Sequence, residues 1–166
     1  MTTHGADVDR SQEWDALRDR HLVAKGDRAP SSARGLHHLA LLSGDVERTI
    51  AFYQGVLEFP LTELFENRDY RGSTHFFFDI GNGNLLAFFD FPGLDLGPYA
   101  EVLGGLHHIA ISVTPERWEH LRANLEAAGV PTVPMSGSSL YFSGPDGERL
   151  ELLKDPLREM YGSTVA

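Results

Sequence analysis

The chain has 166 residues, 42% hydrophobic and 23% charged, which suits one compact domain or two small halves sharing a core. A net charge of −10 and a pI near 5.1 disfavour nucleic acid and anionic membrane as partners. There is no cysteine, so disulfides, thiolate nucleophiles and sulfur-bound metals are excluded, and any metal must be held by nitrogen and oxygen.

Residues 1 to about 10 are polar and aperiodic, a pattern expected of a mobile tail. From Ser11, a short amphipathic helix is expected, with Ser11 as N-cap and Trp14, Leu17, His21 and Leu22 near one face. It ends before Gly26, and the Gly/Pro/Ser-containing stretch up to residue 34 reads as a linker. A helix this short is marginal alone, so packing on the body or on a second subunit is expected. A homodimer is therefore the candidate assembly. No apolar run is long enough to cross a membrane, and no leader of basic-then-apolar form is present, which places the expected location in the cytoplasm.

From Gly35 onward the sequence repeats itself. GLHHLALLSGDVERTIAFY, starting at Gly35, aligns with GLHHIAISVTPERWEHLRA, starting at Gly105; FFFDIGNGNLLAFF, starting at Phe76, aligns with LYFSGPDGERLELL, starting at Leu140. Each copy predicts a strand (36–43, 106–113), a helix (46–57, 115–128) and a second strand (59–66, 131–135). A hairpin then closes each copy, 73–80 with 84–91 and 138–143 with 148–153, around Asn-Gly and Asp-Gly turns. The expected fold is α+β: two tandem βαβββ units, 35–91 and 105–154, forming one curved eight-stranded mixed sheet around a metal-binding cavity. Residues 92–104 link the units and 155–166 form a C-terminal tail.

Alternation along the strands sorts side chains by face. His38, Ala40 and Leu42 share one face, as do His108, Ala110 and Ser112; Ala87 and Glu151 occupy equivalent inward positions on the closing strands. Two neutral imidazoles and a carboxylate on one concave face suit a hard-to-borderline divalent ion and leave coordination positions open. His38, His108 and Glu151 are accordingly the candidate metal ligands, set against the plainer possibility of satisfied core histidines. His37 and His107 point to the opposite face and are read as structural. His4, His21 and His120 lie in the tail and the helices and are read as non-catalytic. His75 and Tyr141 also face inward: the first could move a proton, the second could donate to a developing oxyanion. Phe77, Phe89, Phe91 and Leu42 suggest an apolar wall for a small aromatic or otherwise apolar substrate.

Asp45 stands seven residues after His38, Phe52-Tyr53 follows seven after that, and Pro145-Asp146-Gly147 precedes Glu151. Within paired βαβββ units these motifs resemble the vicinal oxygen chelate superfamily of glyoxalases, fosfomycin- and bleomycin-resistance proteins and type I extradiol dioxygenases. The resemblance spans about residues 35–154 and is specific for fold more than for reaction. Glyoxalase-like members use a glutamate from each unit, whereas Ala87 stands at that position here. A His, His, Glu triad resembles the extradiol branch, which implies Fe(II), or else Mn(II) or another divalent ion, with a catechol-like substrate. That branch also has a tyrosine ten residues before the glutamate, the position of Tyr141. It differs in that its acid–base histidine falls where this chain has Asn84, leaving His75 as the candidate substitute, and most of its members carry a second pair of units. The alternatives are a glyoxalase-like lyase or isomerase, and a binding protein that sequesters a small molecule.

Overall fold

The computed structural model describes residues 9–33, 35–135 and 137–154. The chain divides into two compact units, Met1–Arg34 and Gly35–Ala166. The expected tails at 1–8 and 155–166 lie outside the described residues.

In the first unit, helix α1 spans Ser11–His21. Ser11 is the first helical residue rather than the cap. The cap position falls on Arg10 without a side-chain bond, and the Asp9 carboxylate accepts from the Ser11 amide at 2.9 Å. No residue of α1 is buried. Ion pairs Arg10–Glu13 and Arg18–Asp15, each three residues apart, give it local support.

The second unit contains both repeats. Strand β1 (His38–Leu42) leads into helix α2 (Val46–Ile50), and strands β2 (Leu61–Glu66), β3 (Thr74–Asp79) and β4 (Leu85–Phe89) follow. The second copy gives β5 (Ile109–Val113), α3 (Pro115–Ala127), β6 (Thr132–Met135), β7 (Ser139–Ser143) and β8 (Arg149–Lys154). Asp45 and Thr114 cap the helices by accepting from the Arg48 and Arg117 amides, and Pro115 occupies the first turn of α3. The expected helix 46–57 is not α-helical throughout: Ala51–Val56 form a π-helical segment, with the Leu57 amide bonded to the Phe52 carbonyl. Glu58, at φ +56°, then turns the chain out of the helix.

All eight expected strands form, as two four-stranded ladders ordered β1-β4-β3-β2 and β5-β8-β7-β6. Among the described residues β1 and β5 are each an edge strand of their own ladder. β1 pairs parallel with β4 and β5 parallel with β8; the remaining pairs are antiparallel. In the first hairpin Gly81, Asn82 and Gly83 all have positive φ, the conformation that an Asn-Gly turn supplies at little cost.

One face of each sheet enters a single core. Phe76, Phe78, Leu86 and Phe88 from the first sheet and Leu140, Phe142, Leu150 and Leu152 from the second pack with Tyr53, Leu57, Trp118, Leu121 and Leu125. The motif residues fasten the two halves together. Asp146 accepts from the Gly44 amide and pairs with Arg48 at 2.5 Å, while the Tyr53 hydroxyl donates to Glu148 Oε1 at 2.7 Å. The Glu148 side chain folds back over Gly144, where a Cβ would lie 2.0 Å from Oε1, so a side chain there would push the Glu148 carboxylate out of this position. Across the helices, Glu58 accepts from Arg117 and Asn124 and bonds His120, an arrangement that holds its carboxyl down at about 2. His120 is thus a structural clamp. Among the described residues no helix is long and apolar enough to cross a membrane.

Candidate metal centre

The faces turned away from the core carry the candidate chemistry. On the first sheet the register places Ala40, Ala87 and Phe77 in one row, with Leu42, Phe89, His75 and Phe65 in the next. On the second, Ala110, Glu151, Tyr141 and Val133 form the row equivalent to that of Ala40. The inward faces expected from alternation are therefore those of the structure.

His108 Nε2 lies 3.1 Å from Glu151 Oε2, with the glutamate side chain 7% exposed. An imidazole nitrogen and a carboxylate oxygen facing each other at this distance are the chemistry of two legs of an N,N,O ligand set. Tyr141, the cross-strand partner of Glu151, hydrogen-bonds that carboxylate, and its ring packs edge-on to His108 at 5.5 Å. Desolvation first, then the bond to Glu151, raises the Tyr141 hydroxyl above its ordinary value, so it stays a protonated donor at neutral pH.

His38 is placed differently. It stands on the first sheet beside Phe77, ring centroids 5.9 Å apart, and is exposed. Among the described residues no three His, Asp or Glu side chains gather closely enough to hold an ion. The structure thus brings His108 to Glu151 on the second sheet, while His38 stands on the first. Ala87, the counterpart of Glu151, is fully buried and supplies no donor.

His37 and His107 are both exposed. Each ring meets its neighbour, with Nδ1 to Nδ1 distances of 2.8 Å for His37–His38 and 2.6 Å for His107–His108. An imidazole that binds a metal through Nε2 carries its proton on Nδ1, where a neighbouring acceptor fixes that tautomer. The His-His doublet therefore carries an orienting group next to each candidate ligand. The sequence signal was the doublet itself, repeated in both units. Replacing His107 by Ala should weaken divalent-ion binding roughly 10–100-fold, the usual cost of losing an orienting partner, measurable by calorimetric metal titration.

His75 lies on the first sheet in an aromatic slot, stacked on Phe89 at 3.8 Å and close to Phe77 and Phe65. Its Nε2 is buried and has no hydrogen-bond partner among the described residues. Desolvation, and secondarily the charge of His38, lowers its pKa, which favours the neutral ring. Of the four residues expected to form an apolar wall, Phe77 and Phe89 flank His75. Leu42 and Phe91 instead line a cavity of about 760 Å³ that also contains Asp90, Asp146 and Glu148.

Comparison with known proteins agrees with this architecture. Residues 35–152 match the model of the Glyoxalase/Bleomycin resistance protein/Dioxygenase superfamily. A Bacillus subtilis protein provisionally named a ring-cleaving dioxygenase is 27% identical over 139 residues, 79% of this chain, and the match spans 43% of that protein's length. Lactoylglutathione lyase of Salmonella typhimurium is 30% identical over 132 residues, 72% of this chain and 91% of the lyase. A variant of the fosfomycin resistance protein of Listeria monocytogenes, solved with Mn(II) and dihydroxypropylphosphonic acid, superposes with a TM-score of 0.55 at 25% identity. That superposition covers 75% of this chain and 94% of the other. With the paired βαβββ units and the family match over most of the chain, this protein belongs to the glyoxalase/bleomycin resistance/dioxygenase superfamily.

Proposed function

We propose that the protein is a divalent-metal-dependent dioxygenase of the extradiol ring-cleaving type, acting on a small catechol-like substrate. The observation that carries this reading is the donor set. His108 and Glu151 face each other, the donors are nitrogen and oxygen only, and Ala87 takes the place of a fourth ligand. Coordination positions are therefore left for a chelating substrate and a co-substrate. Fe(II) is the favoured ion, with Mn(II) or another divalent ion as the alternative. The third ligand, His38, comes from a second copy of the chain, so that His38 of one subunit completes the His108–Glu151 pair of another and the enzyme works as a homodimer. The openness of both donor-bearing faces within one chain supports this assembly: His38, Ala40, Ala110 and Ser112 are all exposed.

When bound, the ion would supply two-point chelation of neighbouring substrate oxygens and, as Fe(II), a conduit through which the electron-rich substrate reduces oxygen. The chain's own groups do the rest. Tyr141, held protonated, donates to a substrate oxyanion. His75, held neutral by desolvation, is the candidate to take a proton from the substrate hydroxyl and return it. Phe77 and Phe89 flank the substrate ring and exclude water.

Anaerobic reconstitution with Fe(II), followed by oxygen-uptake measurement across a catechol panel, tests the reading. Stoichiometric oxygen consumption with a coloured ring-opened product is expected; no uptake with any member would remove it. A lyase or isomerase of the glyoxalase kind is the second reading. It is favoured by the match to lactoylglutathione lyase, which covers 91% of that enzyme. It predicts activity with Ni(II) or Zn(II) and no need for oxygen.

A further inference from the structure

We propose that Arg149 is a specificity-determining residue that binds an oxyanion of the substrate, a carboxylate in the first instance, and that Glu101 occupies it in the resting protein. The inference rests on the reading above that a small molecule is held at the His108–Glu151 pair.

Register fixes where Arg149 lies. Ile109 is paired with Leu150 and Ala110 with Glu151, so the residue before Ile109 stands level with the residue before Leu150. His108 and Arg149 are thus neighbours on one face. Arg149 precedes Glu151 by two positions, which sets it about 7 Å along the same strand. The guanidinium lies over the Tyr141 ring, 4.9 Å from its centroid. That cation–ring contact restrains the guanidinium beside Tyr141, and one contact to Glu101 leaves it N–H donors for a second oxygen.

Its present partner is weak. Arg149 Nη1 meets Glu101 Oε1 at 3.2 Å, and the two side chains remain 36% and 41% exposed. Glu101 belongs to the 92–104 linker rather than to the sheet. A half-exposed, one-point pair of this kind contributes little to stability, and a planar oxyanion offering two oxygens would bind the guanidinium better. Beside the pair is a cavity of about 380 Å³ whose lining includes Arg149, Tyr141, Tyr99, Ser143, Val133 and Met135, with Arg149 as its one charged side chain.

The fold does not demand an arginine here. The repeat-equivalent position in the first unit is Leu85, and β4 forms the same ladder with it. Nor is Arg149 part of a general attraction for anions, because the chain carries a net charge of −10. A single cation flanking the donor pair selects at short range. The substrate class that fits is a small chelating molecule, with neighbouring oxygens at the donor pair and a carboxylate about one aromatic ring away.

The test uses the full-length protein loaded with Zn(II), so that no turnover occurs, and calorimetric titration with 3,4-dihydroxybenzoate and with catechol. Wild type should bind the acid at least roughly ten-fold more tightly than catechol, as a charge-assisted two-point contact implies. Arg149→Gln should bring that ratio close to one with catechol affinity little changed. Arg149→Lys should restore part of the preference, and Glu101→Gln should enlarge it severalfold. A merely structural Arg149 would not move the ratio. A ratio unchanged in Arg149→Gln, or no preference in wild type, overturns the proposal. Failure of the chelate reading is a different result: catechol affinity would be indifferent to Glu151→Ala or to removal of zinc. In that event, benzoate against benzyl alcohol on the metal-free protein, followed by ligand-observed NMR, decides the point. Benzoate binding lost in Arg149→Gln sustains the anion receptor, and no benzoate binding in wild type overturns it.

Discussion

Glu151→Ala and His38→Ala should each abolish divalent-ion binding at stoichiometric concentration, and mixing the two variants should restore part of it. Each substitution removes a directly ligating group, so the loss should exceed the roughly 10–100-fold that follows removal of an orienting partner. The recovery comes from the assembly. In a homodimer whose sites take His38 from one chain and His108 with Glu151 from the other, a mixed dimer has one site with all three donors and one with neither variant position intact. Co-refolding the variants in equal amounts should therefore return about one quarter of the wild-type metal content, measured by elemental analysis after desalting. A site assembled within one chain would give none.

The second large effect concerns stability and does not involve the metal. Glu148 is 6% exposed and Tyr53 wholly buried, and the carboxylate accepts from the Tyr53 hydroxyl and from the Asp146 amide. Glu148→Ala would leave both donors unsatisfied in a buried setting and should cost about 2–4 kcal/mol, read from denaturant unfolding. Glu148→Gln keeps an acceptor for Tyr53 and removes the buried charge, so it should lie near wild type at neutral pH. The pH dependence supplies the sign. Burial raises the Glu148 carboxyl above its ordinary 4.5, so the folded protein holds that proton more readily than the unfolded chain. This group's contribution is therefore greatest in acid and declines as pH rises from the ordinary value to the raised one. Glu148→Gln should flatten that part of the stability profile. A profile with the same slope in both proteins would show that Glu148 ionises as it does in the unfolded chain.

The same two residues show what the motifs encode. Tyr53 belongs to the Phe-Tyr of the first unit and Glu148 follows the Pro-Asp-Gly of the second, 95 residues apart in the chain and in contact in the fold. Asp146 joins them by bonding the Gly44 amide and Arg48. Most of this pattern is therefore an interlock between halves, and only Glu151 and the histidines are left for chemistry. This accounts for a family signature that is strong for fold and weak for reaction.

The sequence alone determined the repeat, the eight strands, the hairpin turns and the face on which each candidate side chain lies. These follow from local rules: apolar alternation with period two, caps at Asp45 and Thr114, and Asn-Gly or Asp-Gly at the turns. Tertiary structure decided what no local rule reaches. It made two ladders instead of one, since hydrogen bonding between β1 and β5 depends on how whole units dock. It opened α2 into a π-helical segment that carries Tyr53 into the core beside Glu148. It set the His37 and His107 rings against the candidate ligands. It also brought His108 to Glu151 while holding His38 on the other sheet. Alternation fixes the face a side chain occupies, whereas the distance between two faces is set only when sheets and subunits pack.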